Sequence, residues 1–134
     1  MAIEKSISKE RAEACLEAFH RILPQCESVE EAFERAAKEP APKFFVSFPR
    51  AYRCVSELER HGKRVTEPTK AAMVDELYRR WKAKGVKHYV CLEEIIEEPA
   101  PSFYISPSSF RRLVYSELRS KKKKDRNGGD KKKN

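Results

Sequence analysis

The chain has 134 residues, 37% charged and 40% hydrophobic, enough apolar material for one modest domain or two very small ones. Its net charge of +8 is concentrated: residues 119–134 hold nine basic groups against Asp125 and Asp130, which leaves +1 on the first 118 residues. Only four glycines occur, which disfavours a barrel or sandwich, no apolar run nears the ~18 residues of a membrane span, and the first residues lack a signal peptide's apolar segment, so a cytoplasmic, helical protein is expected.

In chain order, Ala12, Cys15, Leu16, Phe19, Ile22 and Leu23 recur at helical spacing and predict a first amphipathic helix, which Pro24 stops. Ser28-Val29-Glu30-Glu31 forms a capping box: a hydroxyl and a carboxylate satisfy the first free N–H groups of a short second helix. Its inward side is Val29, Ala32, Phe33, Ala36 and Ala37, and Pro40 and Pro42 end it. Ser47 then caps a third helix with Ala51, Cys54, Val55 and Leu58 on one face. Residues 60–66 form a linker. Beyond it Val74, Leu77, Tyr78 and Trp81 mark a fourth helix closed by Gly85, and Leu92, Ile95 and Ile96 mark a short fifth. Ser106 caps the last helix, with Pro107 at its favoured first position and Phe110, Leu113, Val114 and Leu118 inward.

The strongest pattern is a repeat. Residues 39–55 and 98–114 align without a gap at an offset of 59 and share eight identities: Glu39/Glu98, Pro40/Pro99, Ala41/Ala100, Pro42/Pro101, Phe44/Phe103, Ser47/Ser106, Arg53/Arg112 and Val55/Val114. About one would arise by chance in such a window. The register continues upstream through Phe19/Tyr78, Arg21/Arg80 and Glu34/Glu93. The fold expected is therefore all-α: two tandem three-helix, helix-turn-helix-like repeats (1–60 and 61–118) followed by a disordered basic C-terminal tail (119–134), which has no apolar residue to bury.

A helix, a connection and a Ser-capped helix is the layout of a helix-turn-helix reader. With Phe110 as the core direction on a wheel of about 100° per residue, Ser108, Arg112, Tyr115 and Arg119 fall opposite it and Arg111 lies on the flank. This face combines a helix start that favours phosphate, near Ser106, with arginines able to reach guanine edges or phosphates. The first repeat presents Pro49, Arg53, Ser56 and Arg60 there, with Arg50 and Glu57 alongside. The candidate nucleic-acid-binding residues are Arg50, Arg53, Ser106, Ser108, Arg111, Arg112, Tyr115 and Arg119, with Lys121, Lys122, Lys123 and Lys124 adding phosphate affinity. The connection Pro99 to Ile105 spans seven residues, longer than the usual turn of about 3–4, so the Pro-Ala-Pro-x-Phe segment reads as a structural corner plugged by Phe103 and Tyr104.

By layout both repeats resemble the helix-turn-helix DNA-binding superfamily over residues 30–56 and 89–115, and the corner is similar to one in small uncharacterised bacterial and phage-like proteins. The resemblance implies nucleic-acid binding, of DNA more than RNA, through the third helix of each repeat, as in a transcriptional regulator or a DNA-associated factor of a mobile element. The competing expectation is a non-enzymatic helical adaptor for a protein partner, its tail serving localisation or solubility.

No phosphate loop, H-E-x-x-H or G-x-S-x-G pattern suggests an enzyme or a cofactor. Glu93, Glu94, Glu97 and Glu98 read as a solvated face. Cys15, Cys26, Cys54 and Cys91 form no C-x-x-C pair, and His88-x-x-Cys91 alone does not supply a zinc tetrahedron, so small buried thiols are expected and no metal.

Overall fold

The computed structural model describes residues 6–85 and 89–133, with side chains through residue 122. The described chain is all-helical: α1 (Ile7–Ile22), a short 3-10 turn (Leu23–Gln25), α2 (Val29–Ala37), α3 (Phe48–His61), α4 (Pro68–Ala83), α5 (Leu92–Ile96, entered through a 3-10 turn at Tyr89–Cys91) and α6 (Pro107–Lys133). Local chemistry sets the ends. Ser6, Ser28 and Ser47 accept the N–H groups of Lys9, Glu31 and Arg50, each at the third residue of its helix. Glu67 caps α4 by accepting from the N–H groups of Thr69 and Lys70, ahead of Pro68 at the first position. Gly62 and Gly85 end α3 and α4 with φ of 62° and 68°, a left-handed conformation that costs glycine nothing.

The compact units cut across the sequence repeats. Residues 1–37 and 107–134 form one unit and residues 38–106 the other. Unit 1 is therefore α1, α2 and α6, and unit 2 is α3, α4 and α5 with both corner segments. The expected boundary at 60/61 is not where the chain divides, because the third helices are exchanged: each packs on the first two helices of the other repeat. The consecutive pairs α2–α3 and α5–α6, which a helix-turn-helix would dock together, fall in different units.

Unit 1 closes around Cys15, Leu16, Phe19, Ile22, Phe33, Phe110 and Val114, all buried. Phe33 stacks on Phe19 with centroids 4.4 Å apart and meets Phe110 edge-on at 6.5 Å. Two expectations fail here. Val29 is exposed rather than inward. On α6 the third buried position is Glu117, while Leu118 is exposed and Leu113 half-buried. Seven residues bring Glu117 back to within about 20° of Phe110, whereas Leu118 sits about 80° away. The helix geometry buries the carboxylate, and Lys9 makes that possible by donating Nζ–H to its Oε1 at 2.7 Å.

Unit 2 packs Val74, Leu77 and Trp81 of α4 and Leu92, Ile95 and Ile96 of α5 against Ala51 and Val55 of α3. Tyr89 stacks on Trp81 and meets Tyr52 edge-on, both at 4.9 Å. Its corner segments pair as expected of a structural element. Ala41 and Ala100, the same repeat position, exchange reciprocal N–H···O bonds of 2.9 and 3.0 Å. Phe44 stacks over Tyr104 at 6.0 Å and Phe45 over Phe103 at 6.1 Å, two pairs that interconvert under the repeat offset. Phe44 and Phe103 are buried, as read from the sequence. Tyr104 adopts a φ of 53°, sparsely populated for a bulky residue, and its N–H donates to Ser102 Oγ.

The acidic cluster of α5 does more than face solvent. Glu97 pairs with Lys43 at 3.0 Å, and Glu98 with Arg80 at 3.1 Å, whose guanidinium also lies 4.9 Å from the Phe44 ring centre. All four cysteines are free, but only Cys15 is fully buried; burial pushes its thiol up to about 12 despite nearby Arg11.

Candidate nucleic-acid interface

In unit 1, α6 stands with Phe110, Val114 and Glu117 inward. Ser108, Arg111, Arg112, Tyr115, Arg119, Lys121 and Lys122 are all exposed on this one helix. Spacings of three, four and seven residues align Ser108, Arg112, Tyr115, Arg119 and Lys122 along a single stripe, the outward face read from the sequence.

The sign of that face depends on where its acid goes. Among the described side chains of α6 the only carboxylate is that of Glu117, which is 3% exposed and paired with Lys9. The exposed surface of α6 over residues 107–122 thus carries five cations and no anion. Arg112, Arg119, Lys121 and Lys122 have no ion-pair partner among the described residues.

Arg111 is held differently. Its guanidinium lies 5.7 Å from the centre of the Phe33 ring and 5.5 Å from that of Tyr115, and the two rings are themselves 5.7 Å apart. A guanidinium stacked on rings keeps its in-plane N–H edges available, so the arrangement orients a planar donor without consuming it. Tyr115 remains 38% exposed.

The rest of the expected site lies elsewhere. Arg50 and Arg53 are exposed on α3 and Ser106 ends the second corner, all in unit 2. Ser56, expected outward beside Arg53, is buried and donates its hydroxyl to the Arg53 carbonyl at 3.1 Å. Glu57 follows Arg53 by one helical turn, at the repeat position that α6 fills with Ser116. Residues 119–122, expected to open a disordered tail, continue the helix with exposed side chains, and the backbone stays helical to Lys133. The Lys123 and Lys124 side chains, and the expectation for those beyond them, lie outside the described residues, as does His88.

Lys9 and Glu117 escaped the sequence reading, as did the contact of the expected core residue Phe33 with Arg111. The wheel already aimed Glu117 at the core, but the adjacent Leu118 was the apolar choice. Phe33 reaches Arg111 only because α6 packs on α2 of the other repeat. Among the described residues no His, Cys, Asp and Glu group could hold a metal ion, and no helix is long and apolar enough to cross a membrane. No family model, no curated protein and no solved structure matches the chain.

Proposed function

We propose that the protein binds nucleic acid through the outward face of α6, with the lysine-rich C-terminal part of that helix adding sequence-independent affinity. The observation that carries this reading is the sorting of charge on one helix: five exposed cations, and the single described carboxylate buried against Lys9. A phosphate backbone is the polyanion such a row suits, each neutralised phosphate releasing a counterion. Ser108, Arg111 and Arg112 near the helix start supply hydroxyl and guanidinium donors of the kind that read base edges. DNA is favoured over RNA, since the B-form major groove admits a helix and the A-form one does not. A role in regulating transcription, or on a mobile element, follows from that substrate.

The alternative, a protein-interaction adaptor, draws its support from unit 2. There Glu57 breaks the arginine row of α3, and Tyr52 and Val90 are exposed.

A mobility shift with duplex DNA, single-stranded DNA and RNA at two salt concentrations tests the proposal. The expected result is a duplex shift that weakens steeply with salt. No shift at low salt would overturn it and move the function to the adaptor.

A further inference from the structure

Each unit is assembled from both halves of the chain. Unit 1 takes α1 and α2 from before the linker and α6 from after it; unit 2 takes α3 from before and α4 and α5 from after. The repeats are alike enough that each half could instead close on itself, α3 on α1–α2 and α6 on α4–α5. Side-chain volume and charge oppose that alternative.

On α6 the central buried residue is Phe110, and the helix packs on an α2 whose buried positions include Ala32, Ala36 and Ala37. On α3 the same repeat position is Ala51, and that helix packs on an α5 carrying Ile95 and Ile96 where α2 has Ala36 and Ala37. Beside Phe33, which meets Phe110 edge-on, the helix that α6 packs on carries the smaller pair, and the helix that α3 packs on carries the larger. Self-closure would bring Phe110 to Ile95 and Ile96 and leave Ala51 with Ala36 and Ala37, one core overfilled and the other hollow, and close-packed interiors tolerate neither.

Charge points the same way. Glu117 is buried and held by Lys9 at 2.7 Å. One repeat later, Lys9 is replaced by Pro68, and one repeat earlier, Glu117 is replaced by Leu58. A self-closed second half would bury Glu117 with Pro68 in the place of its cation, and an unpaired buried carboxylate is strongly disfavoured. The corner adds a third element: the Ala41–Ala100 pairing also takes one segment from each half.

We infer that residues 1–63 and 64–134 are complementary partners that select one another over copies of themselves, through the size match of Phe110 with Ala36 and Ala37, that of Ala51 with Ile95 and Ile96, and the Lys9–Glu117 ion pair. The chain behaves as an obligate heterodimer whose subunits are tied by an exposed linker.

The test uses the full chain with a protease site inserted between Lys63 and Arg64, both exposed. After cleavage under native conditions, native mass spectrometry and size exclusion should find a one-to-one complex of the two halves. Unfolding the cleaved sample in urea and diluting it should restore that complex without homodimers. Separation of the halves on native cleavage, or homodimers in statistical proportion after refolding, would overturn the inference. The same cleaved chain carrying Glu117→Leu, which copies Leu58, keeps the native one-to-one complex but should let homodimers of the 64–134 half appear after refolding. Their complete absence would overturn the selecting role given to the ion pair.

Discussion

The third helices α3 and α6 share a serine just before the helix, an arginine at the same register and a buried valine, yet they present different surfaces. On α3, Glu57 stands one turn after Arg53, and Glu59 pairs with the Tyr78 hydroxyl and Lys82. At those two repeat positions α6 has Ser116 and Leu118, and its own carboxylate is turned inward to Lys9. Three positions therefore separate a continuous cationic face from an interrupted one. The comparison teaches that a duplicated helix acquires a cationic face through where its acids go, not through how many arginines it keeps.

The largest expected effects separate the two units. Phe110→Ala removes the centre of unit 1 and Phe103→Ala the corner of unit 2, each costing ~3–5 kcal/mol, as buried aromatic truncations do. Trp81, the single tryptophan, lies in unit 2, so its fluorescence should report early loss in Phe103→Ala, while Phe110→Ala should show first in far-UV circular dichroism. Coincident transitions by both probes in both variants would mean that the units melt as one body and that the comparison is not thermodynamic.

Next is the lysine-rich segment. Deleting residues 120–134 should weaken nucleic-acid binding at low salt and flatten the plot of log affinity against log salt, because the counterions released on binding are fewer. The Trp81 melting curve should not move. An unchanged salt slope would remove residues 120–134 from the interface and leave only residues 107–119 of α6 in it.

The Glu57/Ser116 difference can be exchanged directly. Ser116→Glu places an anion beside the α6 stripe, one turn after Arg112, and should weaken duplex binding by about two- to fivefold, the scale of one exposed charge. Glu57→Ser on α3 should leave affinity unchanged if α3 takes no part, and a gain would show that α3 was a second site held back by its own carboxylate. Binding isotherms at fixed salt decide between them.

The smallest effect concerns acid. Hydrogen bonds from Arg79, and then from Arg80, hold the Glu76 carboxyl below its ordinary value, opposed by partial burial. The Thr69 hydroxyl and the Lys70 N–H do the same for Glu67. A carboxyl with a lowered folded pKa contributes stability that is fully present above the unfolded value of 4.5 and is lost as pH falls through the folded one. Both residues are in unit 2, so Trp81 fluorescence melts should decline below about pH 4.5, and Glu76→Gln should make that decline shallower. A decline of equal steepness in the variant would assign the acid limb to other groups.

Much of this was legible in the sequence for identifiable reasons. Ser28, Ser47, Pro107 and Gly85 act within a few residues of themselves, so their consequences could be read locally. The corner was legible because eight identities at a fixed offset, with two buried phenylalanines among them, leave little else for it to be. The helix exchange was not. A hydrophobic stripe on α6 has the same period whether it meets α4–α5 or α1–α2, and only a cross-comparison of Phe110 and Ala51 against Ala36-Ala37 and Ile95-Ile96 separates the two. The bracing of Arg111 by Phe33 was hidden for the same reason, since the two residues belong to different repeats. Glu117 was missed because a carboxylate next to a leucine is ordinarily the exposed member of the pair.

The central claim, that α6 and not α3 carries the nucleic-acid contact, is tested most directly by two matched substitutions at one repeat position, Arg112→Ala and Arg53→Ala. Fluorescence anisotropy of a labelled duplex across a salt series measures affinity and slope together. Arg112→Ala should cost about 1–3 kcal/mol if it reads a base, with lost preference between duplex sequences, or lower affinity evenly with the slope reduced by about one unit if it meets a phosphate. Arg53→Ala should bind as the unmodified protein does. Equal and negligible losses from both variants, with folding intact, would contradict the claim and transfer the function to protein recognition.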